Sequence, residues 1–255
     1  MDTDDTTNPL HHPRYPRANT YDPAWVTALQ MGPNVLWLTE SLTEVLPIEP
    51  GAKVLDLGCG MAASSIFLAQ QFDARVWATD LWIAASDNQR RIVEAGVEDL
   101  VTPIHAEAHD LPFAAESFDV IVSMDAYQYF GTADLYLGYL VDFLKPEGRL
   151  GAVMPALTSE LGDTVPESLA PYWQWDFCSW HTPDWWRRHW AKTGKVAVDH
   201  ADFVPDLWRD WLRFNDHIAP SVEGWWVDEV ATTHDMLATD QGTHIGFSRV
   251  VATKL

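Results

Sequence analysis

The length, composition and charge of the chain limit what kind of protein it can be. With 255 residues, of which 47% are hydrophobic, the chain is long enough for one large α/β domain with a sizeable core. The 37 acidic residues outnumber the 16 basic ones, and the formal net charge of -21 disfavours nucleic acid and membrane surfaces as partners. Two cysteines exclude a disulfide framework and a four-cysteine zinc site. The start of the chain is acidic rather than apolar, and no apolar run of about 18 residues occurs, so a cytoplasmic protein is expected.

Strand and helix patterns alternate through the first 155 residues. Residues 1–20 are polar and proline-bearing and are expected to form an arm without its own core. A helix is predicted over residues 33–46. Strands are predicted at 53–57, 74–79, 101–105, 118–123 and 149–154, and the helices between them at 62–71, 83–95 and 134–144. This order predicts a parallel sheet with helices on both faces.

The pattern changes after Pro155. Residues 155–181 are rich in prolines and aromatics and are predicted to be a loop-rich insertion, and residues 205–238 a helical one. Between them, Thr182 and Pro183 mark a helix start, followed by a strand at 195–198; a final strand is predicted at 243–253. We therefore expect an arm or lid over residues 1–32 and one domain over 33–255, with both insertions on the substrate side.

Tryptophan is unusually frequent, with 14 residues, six of them between Trp173 and Trp190. Two interpretations stay open. These side chains fill the core, because aromatic residues bury much area, or several of them line a pocket for an apolar or aromatic substrate.

A glycine-rich turn, Gly58-x-Gly60-x-x-Ala63, lies between the first predicted strand and the next helix. Such a turn lets the backbone approach a ligand closely and suits a dinucleotide equally well. Asp56, however, would repel a pyrophosphate and attract a cation such as the sulfonium of S-adenosylmethionine. Asp80 ends the second strand, where a carboxylate can accept hydrogen bonds from both ribose hydroxyls; its alternative role is to cap the next helix.

Five segments in consistent order over residues 31–155 resemble the class I S-adenosylmethionine-dependent methyltransferases of small-molecule type. They are Val54-Leu-Asp-Leu-Gly-Cys-Gly60, Asp80, Glu107-Ala-His-Asp-Leu-Pro-Phe113, Phe118-Asp-Val-Ile-Val-Ser123 and Leu144-Lys-Pro-Glu-Gly148. The resemblance implies a Rossmann-like, seven-stranded, mostly parallel sheet with helices on both faces, an antiparallel last strand and lid insertions.

The resemblance also implies a set of residues that bind the cofactor, S-adenosylmethionine. The methionine half would be faced by Asp56, Gly58, Gly60 and Ser123. The ribose would be held by Asp80, and the adenine would be contacted by Leu81, Trp82, Glu107 and Ala108. The chain departs from the family pattern at Glu107, where many relatives have aspartate, and at Met61-Ala-Ala63, where relatives often have Thr-Gly.

Candidate residues for the methyl acceptor follow the fourth strand and the first insertion. Asp125 is interpreted as a general base, as a ligand for an acceptor amine, or as a loop aspartate. Tyr127 and Tyr129 would point the same way in an extended segment, as pocket wall or as core. His181 could take a proton near neutral pH or be a loop histidine, and Trp180 beside it is a candidate pocket residue. The histidine spacings predict no metal site.

These observations predict methyl transfer by in-line displacement to an oxygen, nitrogen or carbon atom of a small molecule. One alternative is another reaction of an S-adenosylmethionine-family enzyme without methyl transfer. A second is a non-catalytic binding protein with the same fold. A nicotinamide dehydrogenase is disfavoured by Asp56, and a homo-oligomeric state stays open.

Overall fold

A seven-stranded sheet forms the centre of the computed structural model, which describes residues 8–255. Its strands are β1 (Lys53–Leu57), β2 (Arg75–Asp80), β3 (Val101–His105), β4 (Phe118–Met124), β5 (Leu144–Leu157), β6 (Val196–Phe203) and β7 (Ile245–Lys254). The spatial order is β3-β2-β1-β4-β5-β7-β6. β7 runs antiparallel to both of its neighbours, and the remaining pairs are parallel. The predicted Rossmann-like fold with an antiparallel last strand is confirmed.

Eight α-helices within the described residues surround the sheet. They are α1 (Pro23–Ala28), α2 (Val35–Thr43), α3 (Ala63–Phe72), α4 (Ala85–Glu94), α5 (Tyr136–Leu140), α6 (Pro183–Ala191), α7 (Leu207–Ile218) and α8 (Trp226–Asp240). The predicted start of α6 is confirmed, since the Thr182 side chain accepts a hydrogen bond from the N–H of Trp185 and Pro183 follows it. The helix predicted at 134–144 is shorter: α5 passes into a 3-10 helix at Val141–Phe143.

β5 is longer than the sequence predicts, at both ends. It begins at Leu144, opposite Phe118 of β4, and continues past Met154 to Leu157, which pairs with Ile245. A partner strand far along the chain supplies hydrogen bonds that local sequence patterns do not reveal.

The alternation of side chains along β1 divides the core into two clusters, one on each face of the sheet. Val54 belongs to the cluster that also contains residues of α2 and α3. Leu55 belongs to the other cluster, with residues of α5 and α6. Helices cover both faces of the sheet, so the carboxyl ends of the strands are where polar groups can be reached by a ligand.

The N-terminal segment, residues 8–32, packs into the first of these clusters. Tyr15 is fully buried and Leu10 is 4% exposed. The Glu40 carboxylate accepts hydrogen bonds from the N–H groups of Arg17 and Ala18 at 3.0 and 2.8 Å. The segment therefore shares the core of the domain; residues 1–7 of the predicted arm lie outside the described residues.

A buried arginine links this segment to the far end of the sheet. Arg249 of β7 is 4% exposed and donates to both carboxylate oxygens of Asp202, at 3.0 and 2.7 Å, and to Glu44 at 2.8 Å. Glu44 also accepts two hydrogen bonds from Arg14, at 3.0 and 2.8 Å. These charges join β6, β7, the end of α2 and the N-terminal segment.

Arg249→Met is expected to destabilise the protein by about 3 kcal/mol, because it leaves Asp202 partly buried without its main partner. The value is at the low end for a broken buried pair, since Glu44 retains Arg14. Urea unfolding at pH 7 measures the loss. The control is Arg90→Met, which breaks an exposed pair with Asp87 and should cost about 0–1 kcal/mol. Equal losses in both variants would contradict a structural role for Arg249.

Candidate functional site

A cavity of about 310 Å³ opens at the carboxyl ends of β1, β2 and β4. Of the predicted cofactor residues, its wall contains Gly58, Gly60, Asp80, Leu81, Trp82, Glu107 and Ala108. Asp125 and Tyr129 lie on the same wall. The fold thus brings these predicted cofactor-binding residues together with two residues that were predicted to contact the methyl acceptor.

The glycine turn after β1 is fixed by close contacts with neighbouring backbone and side chains. Gly58 has φ +75°, and a Cβ there would lie 2.4 Å from the Cβ of Ala126. A Cβ at Gly60, φ +54°, would lie 2.8 Å from the Met31 sulfur. The N–H groups of Gly58 and Cys59 both donate to the Thr79 carbonyl. Glycine is required at Gly58, because the left-handed backbone and the Ala126 Cβ both act against a side chain. At Gly60 a side chain would have to displace Met31.

Asp80 connects this turn to the loop after β2. Its Oδ2 accepts from the Gly60 N–H at 2.9 Å, and its Oδ1 accepts from the N–H groups of Trp82 and Ile83 at 2.7 and 2.9 Å. A carboxylate offers roughly four acceptor positions, so in this arrangement about one remains for a ribose hydroxyl rather than the two predicted. Two of these bonds come from the turn that precedes α4. Asp80 therefore stabilises the start of the next helix, much as in the alternative role of a helix cap.

Asp56 and Ser123, both predicted to face the cofactor, are placed away from the cavity wall. Asp56 shares the face of β1 that packs on α3, so its Oδ2 accepts from the hydroxyls of Ser64 and Ser65, both at 2.6 Å. Burial raises the pKa of Asp56 to about 6. Ser123 is fully buried and donates to the Leu57 carbonyl at 2.8 Å. Both residues support the glycine turn from beneath.

The residues predicted to contact the adenine lie at an open end of the cavity. They include the carboxylate of Glu107, which is paired with His109. Leu81 is 49% and Trp82 is 73% exposed, although both line the cavity. Glu107 accepts a hydrogen bond from the His109 ring at 2.6 Å, which lowers the pKa of Glu107. Exposed apolar side chains beside a carboxylate suit a flat, polar-edged ring.

Asp125 occupies an unusual position directly after β4. Its backbone is left-handed, with φ 51°, and a Cβ at Gly32 would lie 2.6 Å from its Oδ2. The Gln128 Nε2 donates to its Oδ1 at 3.2 Å. Burial, with a smaller contribution from the charge of Asp176, raises the pKa of Asp125 to about 7. A strained backbone that carries a desolvated carboxylate into a cavity is typical of a functional position.

The two tyrosines after β4 point in different directions, because Tyr127–Tyr129 is a 3-10 helix rather than an extended segment. Tyr127 is fully buried, with its ring 5.5 Å from Trp186 and 5.4 Å from Trp190. Tyr129 is 50% exposed, and its ring lies 6.3 Å from that of Trp82. Of the two alternatives for Tyr127, the structure supports core and not pocket wall, and the prediction that both tyrosines point the same way is wrong.

The structure also places His181 and Trp180 outside this cavity. The His181 Nδ1 lies 2.7 Å from Glu160, and its ring stacks on Trp185 at 3.7 Å. Trp180 is 4% exposed and stacks on Phe177 at 3.9 Å. Trp82 is the only tryptophan among the described residues of the wall. Of the six tryptophans between Trp173 and Trp190, three are buried in the core (Trp180, Trp186 and Trp190) and none lines the cavity. The hypothesis of an apolar or aromatic acceptor, which depended on these side chains, loses its basis.

The N-terminal segment supplies cavity residues that were not among the predicted site residues. Leu29 and Met31 of this segment line the wall, and Gly32 lies against Asp125 with φ +146°. Pro33 and Val35, at the start of α2, continue the same wall. The one sequence signal for them is Met31-Gly-Pro33, a turn-forming run directly before α2.

Within residues 8–255, no group of three or more histidine, cysteine, aspartate or glutamate side chains is arranged to hold a metal ion. No helix in that range has the length and apolar character needed to cross a membrane.

Asp125→Asn is expected to stabilise the protein at pH 8 and to lose that advantage toward pH 5. The pKa of Asp125 is raised in the folded state, so the folded protein binds more protons and its unfolding free energy falls as pH rises from about 4 to 7. The gain at pH 8 should be about 1–4 kcal/mol, since one pKa unit corresponds to about 1.4 kcal/mol.

Thermal unfolding at pH 5, 6.5 and 8 measures this difference. Asp99→Asn removes the same charge at an exposed position and serves as the control. If the two variants shift the melting temperature in parallel at every pH, the carboxyl of Asp125 is not desolvated.

Comparisons with known proteins agree with the motifs and the fold. A family model described as a methyltransferase domain matches residues 54–148. The chain is 31% identical over 194 residues to erythromycin 3''-O-methyltransferase of Saccharopolyspora erythraea. The aligned region covers 69% of this chain and 62% of that protein. The chain spans less than two thirds of the length of this and other curated relatives that it matches.

Two solved structures share the fold at 17% identity. Geranyl diphosphate C-methyltransferase of Streptomyces coelicolor, in complex with S-adenosyl-L-homocysteine, has a TM-score of 0.66 over 86% of this chain and 79% of its own. The [4+2]-cyclase SpnF has a TM-score of 0.69 over 86% of this chain and 80% of its own. From the ordered motifs, the strand order and these similarities, the chain belongs to the class I S-adenosylmethionine-dependent methyltransferase family.

Proposed function

We propose that this protein transfers the methyl group of S-adenosylmethionine to a small molecule bound in the cavity. The observation that carries the proposal is the wall of that cavity: a tight glycine turn, a strand-end carboxylate at Asp80 and a second carboxylate at Glu107. No lysine or arginine occurs among the described residues of the wall. Such a site fits a cationic nucleoside and repels a pyrophosphate. The volume of about 310 Å³ lies within the range of ligand sites.

Each part of the wall has a proposed role in holding the cofactor. Asp80 would accept a hydrogen bond from a ribose hydroxyl, and Leu81 and Trp82 would flank the adenine. Glu107 and Ala108 would lie at the edge of that ring. Gly58 and Gly60 would let the backbone approach the methionine half, with Asp56 and Ser123 supporting the turn from beneath.

The bound cofactor supplies an electrophilic methyl group on a sulfonium. The work of the protein is to orient an acceptor toward it and to keep water out. The segment over residues 8–32 would act as the lid, because Met31 contacts Gly60 and Gly32 contacts Asp125. Asp125 would bind the acceptor or take its proton, with Tyr129 forming the adjacent wall.

Charged residues of both insertions act electrostatically on residues of the segment after β4. Asp176, in the first insertion, raises the pKa of Asp125. Burial raises the pKa of Tyr129, and the charges of Asp125, Asp176 and Glu229 raise it further. Glu229 lies on α8 in the second insertion, and the 3-10 helix Trp175–Ser179 of the first insertion contacts the 3-10 helix Tyr127–Tyr129 after β4. This arrangement supports the expected substrate-side location of the insertions.

A reaction without methyl transfer is the second candidate, because the [4+2]-cyclase SpnF shares the fold. Incubation with S-adenosylmethionine labelled in its methyl group, in the presence of a small-molecule extract, separates the two. Methyl transfer predicts label in a product other than the cofactor. Conversion of an extract component without movement of the label would favour the alternative.

Asp80→Asn is expected to weaken the binding of S-adenosylhomocysteine by roughly tenfold to a hundredfold, because a charged hydrogen-bond acceptor is lost. Isothermal titration calorimetry measures the affinity, with circular dichroism to show that the variant is folded. Asp99→Asn, an exposed carboxylate change of the same size, should bind as the wild type does. Unchanged affinity in Asp80→Asn would remove the basis of the assignment.

A further inference from the structure

A glutamate–histidine pair lies on the cavity wall at its open end. Glu107 and His109 both line the cavity, in the loop that follows β3. The His109 ring lies with its Nδ1 2.6 Å from the Oε1 of Glu107, and the His109 N–H donates to the Oε2 at 3.1 Å. The pKa of Glu107 is lowered by this hydrogen bond, so at neutral pH the carboxylate only accepts and the ring nitrogen donates. Each carboxylate oxygen is thus bound by the same residue.

His109 is itself held in place by α5. Its ring packs edge to face against Tyr136, with 4.9 Å between the ring centroids, and Tyr136 is buried. The Tyr136 hydroxyl also donates to the carbonyl of Ala108, the residue between Glu107 and His109, at 3.1 Å. The helix therefore fixes both the backbone of the loop and the ring that holds the carboxylate.

The pair leaves acceptor positions on Glu107 for a ligand in the cavity. A carboxylate has roughly four acceptor positions, and His109 occupies one on each oxygen. A glutamate side chain is longer and has more rotational freedom than the aspartate that is frequent here in the family pattern, and it loses that freedom when it binds a ligand. His109 removes much of this freedom before the ligand arrives, which favours binding.

We propose that His109 is a positioning residue, which holds the Glu107 carboxylate so that it accepts a hydrogen bond from the 6-amino group of the adenine. The inference rests on the proposed binding of S-adenosylmethionine in this cavity and adds the residue that makes the site selective for its base. The amino group fits because it offers hydrogen-bond donors to a group that only accepts. His109 acts through Glu107 and does not bind the base itself.

Two ligands that differ by one amino group measure this selectivity. They are S-adenosylhomocysteine and its purine analogue, in which a hydrogen atom replaces the 6-amino group. Isothermal titration calorimetry at pH 7 gives the affinity for each ligand, and the ratio of the two is the base preference. We expect the wild type to bind S-adenosylhomocysteine about tenfold more tightly than the analogue, as for a hydrogen bond to a charged group.

Two substitutions of His109 separate its hydrogen bond from the packing of its ring. His109→Phe keeps an aromatic ring against Tyr136 and removes the Nδ1 donor. It should lower the base preference about threefold or more by weakening the binding of S-adenosylhomocysteine, with the affinity for the analogue unchanged within about twofold. His109→Asn places an amide N–H near the position of Nδ1 and should restore the preference. Circular dichroism shows whether both variants are folded.

A matched substitution and a double variant serve as controls. His234 lies on α8, outside the cavity wall, and its Nε2 is 3.1 Å from Asp216, so His234→Phe removes a similar pair and should leave both affinities as in the wild type. Glu107→Gln removes the charge and should lower the base preference to about threefold or less. His109→Phe added to Glu107→Gln should change the preference no further, because His109 acts through the carboxylate.

Three results would overturn the inference: a wild type without preference for S-adenosylhomocysteine, an unchanged preference in His109→Phe, or an equal loss of both affinities in that variant. An equally large loss of preference when His109→Phe is added to Glu107→Gln would also contradict it, since His109 would then bind the base directly. Failure of the wild type to bind either ligand would instead count against the proposed function, so the two hypotheses fail in different ways.

Discussion

The carboxylate of Asp80 holds the site together, because it accepts three backbone hydrogen bonds from two separate loops. One bond fixes Gly60 in the turn after β1, and two fix the start of the loop after β2. The turn also needs Gly58 without a side chain, since Ala126 packs against it. Met31 packs against Gly60 in the same way, so the position of the N-terminal segment over the cavity depends on the turn that Asp80 holds.

Two carboxylates on the cavity wall differ in their surroundings, and this difference separates their proposed tasks. Asp80 is surrounded by donors and is suited to remain an acceptor at a fixed position. Asp125 has one amide donor, a second carboxylate nearby and a pKa raised by burial to about 7. A group with those properties gains most from a bound cation and can exchange a proton near neutral pH. Backbone hydrogen bonds to Asp80 therefore fix the loops at the cofactor end, whereas Asp125 supplies a desolvated carboxylate at the other end.

The sequence predicts the fold well and the site in part. Periodicity and turn residues locate the strands, and β1 and β3 begin and end as predicted. The local signal is strongest for β1, because it is buried along most of its length and is followed directly by Gly58. The motif order identifies the loops but not the direction of each side chain. Asp56 turns toward Ser64 and Ser65, and Tyr127 turns into the core, since strand alternation and a 3-10 helix set those directions. The contributions of Met31 and Gly32 depend on contacts across the chain, which no local pattern contains.

A crystal structure of the complex with S-adenosylhomocysteine tests the central claim most directly, since it shows whether the cavity at the ends of β1, β2 and β4 holds the donor and how the donor lies. We predict a ribose hydroxyl within hydrogen-bonding distance of Asp80, the adenine between Leu81 and Trp82, and the sulfur facing the side of Asp125. Cofactor bound elsewhere, or bound with its sulfur turned away from Asp125, would contradict the assignment of this cavity as the site of methyl transfer.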